Sequence, residues 1–587
     1  MEEFVVDVAP SSPRETVTAT ISDLQYKPQQ FFEGSDIVWM LVSSGLVWLM
    51  VPAMCLFYSG ASPRLSTLKQ FRLPLITAAL VGFQWYLWGY TLAFTPAVPP
   101  SGALPDVSWY GWEKSGLALK GPLVHPVGTT DGPQIPEMVF ELYQGMFASF
   151  TAALVSGGTI RDNPNDRFPS SDVPVGRFLL FINLWSLIVY IPVARWTWHW
   201  AGWSNQLGVL DFAGGTAVHI TSGTACLAFY LFHARHTRSR GTDIPHNAAM
   251  EPYDYDGYEL EEPEAPLPAY QSRITSSQHS SQPQPGNNSS PSAGPTGAVS
   301  SSVPTAAETS YTVRENNESP HNVNNVVLGT GLLWIGWLGF NGGSVLGGNM
   351  RAVSSCVSTH VAACAGGSTS LLFYWFWNKL ARRRDRKNRT ETTIETTKET
   401  KKAKPRASRG PSVMEFCDGV VVGLVAITPG AGFVPVWSSA VFGMVAAVAV
   451  FFLKKVTGKR LADRPLYVFA IHTGGGTVGM VLTGIFASHD VVALDGYSKL
   501  LFPERTPGVR VGYQILDVLA GFSYTLCATM VILYGLKFVR LIIRRKWSAG
   551  FKVLQKPGRW KLEAMPQTGW RRERERSPTA PNDSTTV

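Results

Sequence analysis

The stretch from Asp211 to His233 reads DFAGGTAVHITSGTACLAFYLFH. It contains no Lys, Arg or Glu, and as a helix it is long enough to cross the hydrocarbon core of a bilayer. His219 sits near its middle, where an ionisable side chain is costly and, when present, usually functional. A second stretch, Tyr467 to Ala487, is built the same way around His472. Val218-His219-Ile220-Thr221-Ser222-Gly223-Thr224-Ala225 and Ile471-His472-Thr473-Gly474-Gly475-Gly476-Thr477-Val478 both read apolar-His-x-x-x-Gly-Thr-apolar.

Outward from these two blocks, the 587-residue chain alternates apolar runs with polar or basic connections. Its average hydrophobic content of 45% is that of an ordinary globular protein, so the membrane signal lies in the segmentation. Eleven candidate spans follow, at about 36–58, 73–95, 137–160, 176–195, 211–233, 324–342, 352–378, 414–432, 435–453, 467–487 and 511–538. The fold class expected is an all-α polytopic membrane protein. The two His blocks stand in the fifth and tenth spans, so each half holds an odd number of spans and the halves have opposite orientation. That is an inverted five-helix repeat, a plan that places equivalent residues near the bilayer midplane. Many spans are rich in Gly, Ala, Ser and Thr, which let helix backbones approach closely in lipid.

Basic residues fix the orientation. Arg64, Lys69 and Arg72, then Arg161, Arg167 and Arg177, the run Arg382 to Lys387, Lys454 and Lys455, and Arg544, Arg545 and Lys546 all fall on one side of an eleven-span chain. The N-terminus is then outside and the C-terminus cytosolic. The organisation expected is an extracellular segment 1–35, five spans in 36–235, a disordered cytosolic loop 236–323 and five spans in 324–487 with a basic cytosolic loop 380–412. A last span at 511–538 and a cytosolic tail 539–587 complete it. The loop 236–323 is rich in Pro, Ser, Gln and Asn, and 380–412 is basic and Thr-rich; both compositions favour disorder. The net charge of +9 sits at the edges of apolar runs, which argues for membrane lipid and against nucleic acid. The six cysteines lie inside apolar runs without the spacing of a zinc site or disulfide framework. No cofactor or metal is expected, and no enzyme activity.

Several further motifs resemble the ammonium transporter family (Amt/Mep/Rh). They are Leu210-Asp211-Phe212-Ala213-Gly214-Gly215-Thr216, Ile335-Gly336-Trp337-Leu338-Gly339-Phe340-Asn341-Gly342-Gly343-Ser344, and Cys417-Asp418-Gly419 with Gly423-Leu424-Val425-Ala426-Ile427-Thr428-Pro429. Tyr143-Gln144-Gly145-Met146-Phe147-Ala148 and Phe57-Tyr58-Ser59-Gly60 also fit, and Phe83 to Tyr90 with Trp196-Thr197-Trp198 look most like fungal Mep-type permeases. The resemblance covers about 33–235 and 322–545. It implies a homotrimer in the plasma membrane, each protomer with its own pore for ammonium, ammonia or methylammonium. Carried over, Trp198, Phe147 and Ser344 form an external recruitment site, which Asp211 supports without touching the ion. Phe147 and Phe340 form a gate, His219 and His472 are the pore histidines, and Gln144 and Trp337 are secondary pore candidates.

Plainer roles exist for each residue. Trp198 stands among Trp196, Trp200 and Trp203, the pattern of an interfacial belt. Phe147 and Phe340 suit simple packing, Asp211 suits a helix N-cap, and Ser344 suits a close helix contact. The chain also departs from the family. Tyr467 stands five residues before His472 where an acid is usual, Ser59 replaces Gly, 236–323 is an insertion, and Arg195 beside the aromatic cluster opposes cation recruitment unless it is paired or turned away. Three other functions compete: an ammonium sensor with little transport, a Rhesus-like electroneutral gas channel, and a membrane metallohydrolase using His219, His472 and Asp211. The last lacks a third well-placed ligand of the kind catalytic zinc needs.

Overall fold

The computed structural model describes residues 3–7, 16–20, 25, 31–64, 66–96, 107–114, 116–121, 123–128, 134–159, 175–238, 320–392, 412–460, 466–500 and 502–554. The described chain is overwhelmingly helical. The long helices are α1 (Gly34–Ala61), α2 (Thr67–Gln84, continued by a π-helical turn Trp85–Gly89 and by Tyr90–Phe94), and α3 (Glu137–Thr159). Then come α4 (Val175–Trp185, a π-helical turn Ser186–Tyr190, and Ile191–Trp198) and α5 (a π-helical start Gly215–Ile220, then Thr221–Arg238). The second half holds α6 (Val323–Gly342), α7 (Met350–Thr392), α8 (Val413–Ile427) and α9 (Val436–Arg460). It closes with α10 (a π-helical start Phe469–Gly474, then Gly475–Phe486) and α11 (Pro507–Leu554).

Among the described residues, eight of these (α1, α3, α4, α5, α6, α9, α10 and α11) are long and apolar enough to cross a membrane. The outer faces fit lipid: Val38, Leu41 and Val42 on α1 and Leu516, Leu519 and Val531 on α11 are exposed large apolar side chains that water would not favour. Inside, α1 packs along α6, and α7 packs against both α8 and α9. Small residues permit this. A Cβ at Gly329 on α6 would stand 2.6 Å from the Phe57 amide nitrogen of α1, so only glycine lets these backbones meet.

Two differences from the sequence reading concern helix ends. Residues 380–392 are helix, where a disordered loop was expected, because α7 runs on to Thr392. The run Lys379-Leu380-Ala381 with its following arginines is made of good helix formers and holds no Gly or Pro. Likewise α11 continues past 538 to Leu554. Two antiparallel strand pairs were not foreseen: β1 (Glu3–Asp7) with β2 (Thr16–Thr20), and β3 (Pro126–Gly128) with β4 (Gln134–Pro136). The disorder expected for most of 236–323 and for 393–411 concerns residues outside those described. The chain divides into two compact units, residues 1–534 and 535–587; the site lies wholly in the first.

Candidate functional site: an aromatic column ending on two histidines

Both histidines lie on π-helical turns, His219 in Gly215–Ile220 and His472 in Phe469–Gly474. Such turns are rare and concentrate at functional positions. The start of α5 would leave its first amides unpaired. Asp211 supplies the acceptor: its carboxylate takes the N–H of Gly214 (2.9 Å), Gly215 (2.5 Å), Thr216 (2.8 Å) and Ala217 (3.4 Å). A carboxylate at a helix N-terminus also faces the positive end of the macrodipole. Gly214 has φ +110°, which suits glycine, and a Cβ there would press on Val218 and on the Trp198 ring. The Trp198 indole N–H donates to the Asp211 carbonyl at 3.0 Å. One acid thus fixes both the His219 turn and the outermost aromatic ring.

From Trp198 the rings form a continuous column. Phe147 meets Trp198 edge-on at 5.9 Å, and Phe147 and Phe340 stack at 4.1 Å with 17° between their planes. Phe340 lies 6.3 Å from the His219 ring at 28°, and Trp337 lies 5.6 Å from it at 25°. His219 and His472 meet through Nδ1 and Nδ1 at 3.2 Å. Phe147, Phe340, Trp337, His219 and His472 are all buried, while Trp198 and Ser344 are half-buried. Ser344 joins the column through Phe340: its hydroxyl donates to the Phe340 carbonyl (2.9 Å) and stands 3.3 Å from the Tyr143 hydroxyl. Gln144, next to Tyr143 on α3, is buried, and its Oε1 has no partner among the described residues.

Thr428 orders the protons of the pair. Its hydroxyl donates to the Leu424 carbonyl (2.8 Å) and accepts from the Trp337 indole (3.0 Å). Its remaining acceptor capacity faces His219 Nε2 at 3.3 Å, so Nε2 carries the His219 proton and donates to Thr428. The lone pair of His219 is then on Nδ1, His472 donates from its own Nδ1, and His472 Nε2 is left as an acceptor. This assignment follows from the hydrogen-bond network, as tautomers do.

The His-x-x-x-Gly spacing has a reciprocal meaning. Gly223, four residues after His219, packs on α10, where a Cβ would sit 3.3 Å from the His472 Cβ and 2.7 Å from the Thr473 amide nitrogen. Gly476, four residues after His472, packs on α5, where a Cβ would sit 3.3 Å from the His219 Cβ and 2.9 Å from the Gly215 carbonyl. Each glycine makes room for the other helix's histidine. The threonines join the contact: Thr224 and Thr473 hydroxyls are 3.3 Å apart.

The two departures that bear on the site are resolved by geometry. Arg195 is buried and turned from the column. It donates to the Ala93 (2.8 Å) and Thr95 (3.0 Å) carbonyls and, from Nε and Nη2, to the Ser108 hydroxyl. Tyr467 has a positive φ of 47°, and the Lys454 ammonium lies 4.9 Å over its ring. Lys454 pairs instead with Glu415 (3.1 Å) and Asp418 (2.6 Å) of α8. Sequence reasoning quoted Thr428 and Tyr143 within motifs without assigning them roles, and their partners are distant in the chain. It passed over Asp517, although an acid inside an apolar run is a signal in itself. Among the described residues no group of three His, Cys, Asp or Glu side chains gathers that could hold a metal ion.

Comparison with known proteins gives a consistent result. The model of the Ammonium Transporter Family matches residues 38–252, 304–382 and 400–550. Ammonium transporter 1 of Schizosaccharomyces pombe is 31% identical over 519 residues, covering 87% of this chain and 78% of the relative. Ammonium transporter MEP2 of Saccharomyces cerevisiae is 29% identical, covering 86% and 77%. Crystal structures of Mep2 from S. cerevisiae (28% identity, TM-score 0.56) and Candida albicans (29%, TM-score 0.58) each cover 86% of this chain, and 88% and 84% of their own. With the family model matched over most of its length, the chain belongs to the Ammonium Transporter Family, as an all-α membrane protein whose named relatives are transporters rather than enzymes.

Proposed function

We propose that this protein moves ammonium across the plasma membrane through a pore centred on His219 and His472. The observation that carries the reading is the unbroken series of rings from Trp198 through Phe147 and Phe340 to the two imidazoles. In this reading the protomer has eleven spans in two inverted halves, the N-terminus outside and the C-terminus cytosolic. The basic ends of the connections support the orientation. The residue divisions of the sequence reading apply, with the helix ends moved as above, and three protomers assemble, each with its own pore.

A bare cation in a low-dielectric pore is heavily penalised. The face of Trp198 offsets part of that cost at the mouth, by about 0.5–2 kcal/mol. Ser344 donates its own proton to Phe340, so its oxygen is left to accept an N–H from the guest. Potassium has no N–H to donate, and this acceptor therefore discriminates in favour of ammonium and methylammonium. The stacked Phe147 and Phe340 close the way to hydrated ions and open only by ring rotation. Past them, His472 Nε2 offers an acceptor and the linked imidazoles relay a proton. Ammonium gives up a proton, ammonia crosses the apolar section, and the two recombine on the cytosolic side. Gln144 and Trp337 act as wall residues, Trp337 by holding Thr428 and hence the His219 tautomer. Asp211 supports recruitment from behind the site.

The test is uptake of labelled methylammonium by proteoliposomes. Ammonium is expected to compete with it and potassium is not; equal competition by potassium would overturn the selectivity argument.

A further inference from the structure

Helix α11 carries a second buried acid that the pathway above does not use. Asp517 is the only charged residue between Val511 and Leu536, and it is fully buried. Its Oδ1 accepts from the Ser204 hydroxyl at 2.6 Å. Its Oδ2 is buried and has no hydrogen-bond partner among the described residues. The hydroxyl of Thr216, on the π turn that carries His219, is likewise buried and without a hydrogen-bond partner of standard geometry. α11 comes close to Thr216 here because Gly521, four residues after Asp517, leaves room for the Thr216 methyl. The charged group facing Asp517 from another element is Asp211, which binds the Thr216 amide.

The two acids differ in one respect. The Asp211 carboxylate accepts from four backbone N–H groups. Asp517 has one donor and one bare oxygen, and an unpaired charge in such surroundings is costly. A proton on Oδ2 removes that cost and makes Oδ2–H a donor for the Thr216 hydroxyl, so one proton satisfies both orphaned atoms.

We propose that Asp517 is a proton-holding site of the transport cycle, reached through Thr216 on the His219 turn, that holds the proton lost by ammonium before the imidazole pair relays it. This rests on the pore reading above. The N–H bond of ammonium breaks with both electrons staying on nitrogen. The proton forms an O–H bond at Asp517 Oδ2, and that bond breaks again as the proton moves toward the cytosolic side to meet ammonia. One ammonium enters the scheme, and one ammonia and one proton leave it.

The experiment uses the purified full chain in proteoliposomes, comparing ammonium-pulse currents of wild type, Asp517→Asn, Asp517→Glu and Thr216→Val. Asp517→Asn is expected to lower the current by at least about tenfold, with the half-saturating ammonium concentration unchanged and with recovery in Asp517→Glu; a smaller fall overturns the assignment. Thr216→Val is expected to lower the current in the same direction, and an unchanged current there overturns the route. Should Asp517→Asn not fold, infrared difference spectra after a pH jump decide: a carboxylic C=O band that moves in Asp517→Glu supports the proposal, and its absence or immobility defeats it. A wild type without ammonium current refutes the pore reading, while the infrared arm still judges Asp517 by itself.

Discussion

The helices that bring His219 and His472 together carry the same motif and are anchored by different chemistry. At α5 the anchor is local: Asp211, a few residues before His219, takes four backbone N–H groups and holds the Trp198 indole through its carbonyl. Ahead of α10, five residues before His472, stands Tyr467, which has no carboxylate. There the acids come from α8, as Glu415 and Asp418, and Lys454 of α9 ties them to the Tyr467 ring. A repeated segment thus keeps what both halves need, the His and the Gly that accommodates its partner. Each end then finds its own way to fix the backbone. The Asp211 cap binds the start of α5 and the Trp198 ring, whereas the ion cluster joins α8 and α9 to the residue that leads into α10.

Removing each anchor breaks the comparison most directly. Asp211→Ala leaves several buried N–H groups without an acceptor and is expected to cost about 4 kcal/mol, read as a lowered thermal midpoint of the purified protein and a lost current. Asp211→Asn, which keeps an acceptor, should lose less. Lys454→Met strands two carboxylates and is expected to cost about 3 kcal/mol, with Tyr467→Phe nearly silent because the ring face is retained. If Lys454→Met proves harmless, the cluster is not the anchor of α10.

The glycines sharpen the symmetry. Gly223→Ala is expected to destabilise by about 2 kcal/mol, because its Cβ meets the Thr473 backbone, which cannot give way. Gly476→Ala should cost about 1 kcal/mol, since its neighbours stand farther off. Equal effects would mean that the two crossings are tighter in symmetry than the structure shows. Smallest is a pH effect outside the pore. Burial opposes ionisation of Asp495, but the hydrogen bonds from Ser498 and Tyr497 and the Arg351 guanidinium outweigh it and hold its carboxyl below the ordinary 3.8. Its folded-state value is depressed, so its contribution is present above that ordinary value and lost as pH falls through the lower one. Wild type and Asp495→Asn should therefore differ in stability at neutral pH, the difference should begin to shrink below about 3.8, and the two should converge once pH passes the lowered folded-state value.

Much of the molecule could be read from residues alone, for physical reasons. Apolar runs without charge announce their helices, and two histidines at equivalent places in such runs announce the meeting of α5 and α10. The His-x-x-x-Gly pattern was visible, but its cause, each glycine receiving the other histidine, exists only across α5 and α10. The direction of Arg195 was not legible, because its partners are carbonyls a hundred residues away in the chain. Thr428 was quoted for its motif, and its control of the His219 tautomer depends on Trp337 arriving from α6. The end of α7 was misplaced because basic composition was read as disorder, when Leu380, Ala381 and the arginines equally favour helix.

The central claim is that the column recruits ammonium and that the histidine pair carries it past the phenylalanines with net charge movement. The most direct test is the current across proteoliposomes on an ammonium pulse, with sodium and potassium pulses as controls, for wild type and His472→Ala. The account predicts an inward current for ammonium alone in the wild type, and its loss, or a loss of selectivity over potassium, in His472→Ala. An ammonium current in His472→Ala with unchanged size and selectivity would contradict it.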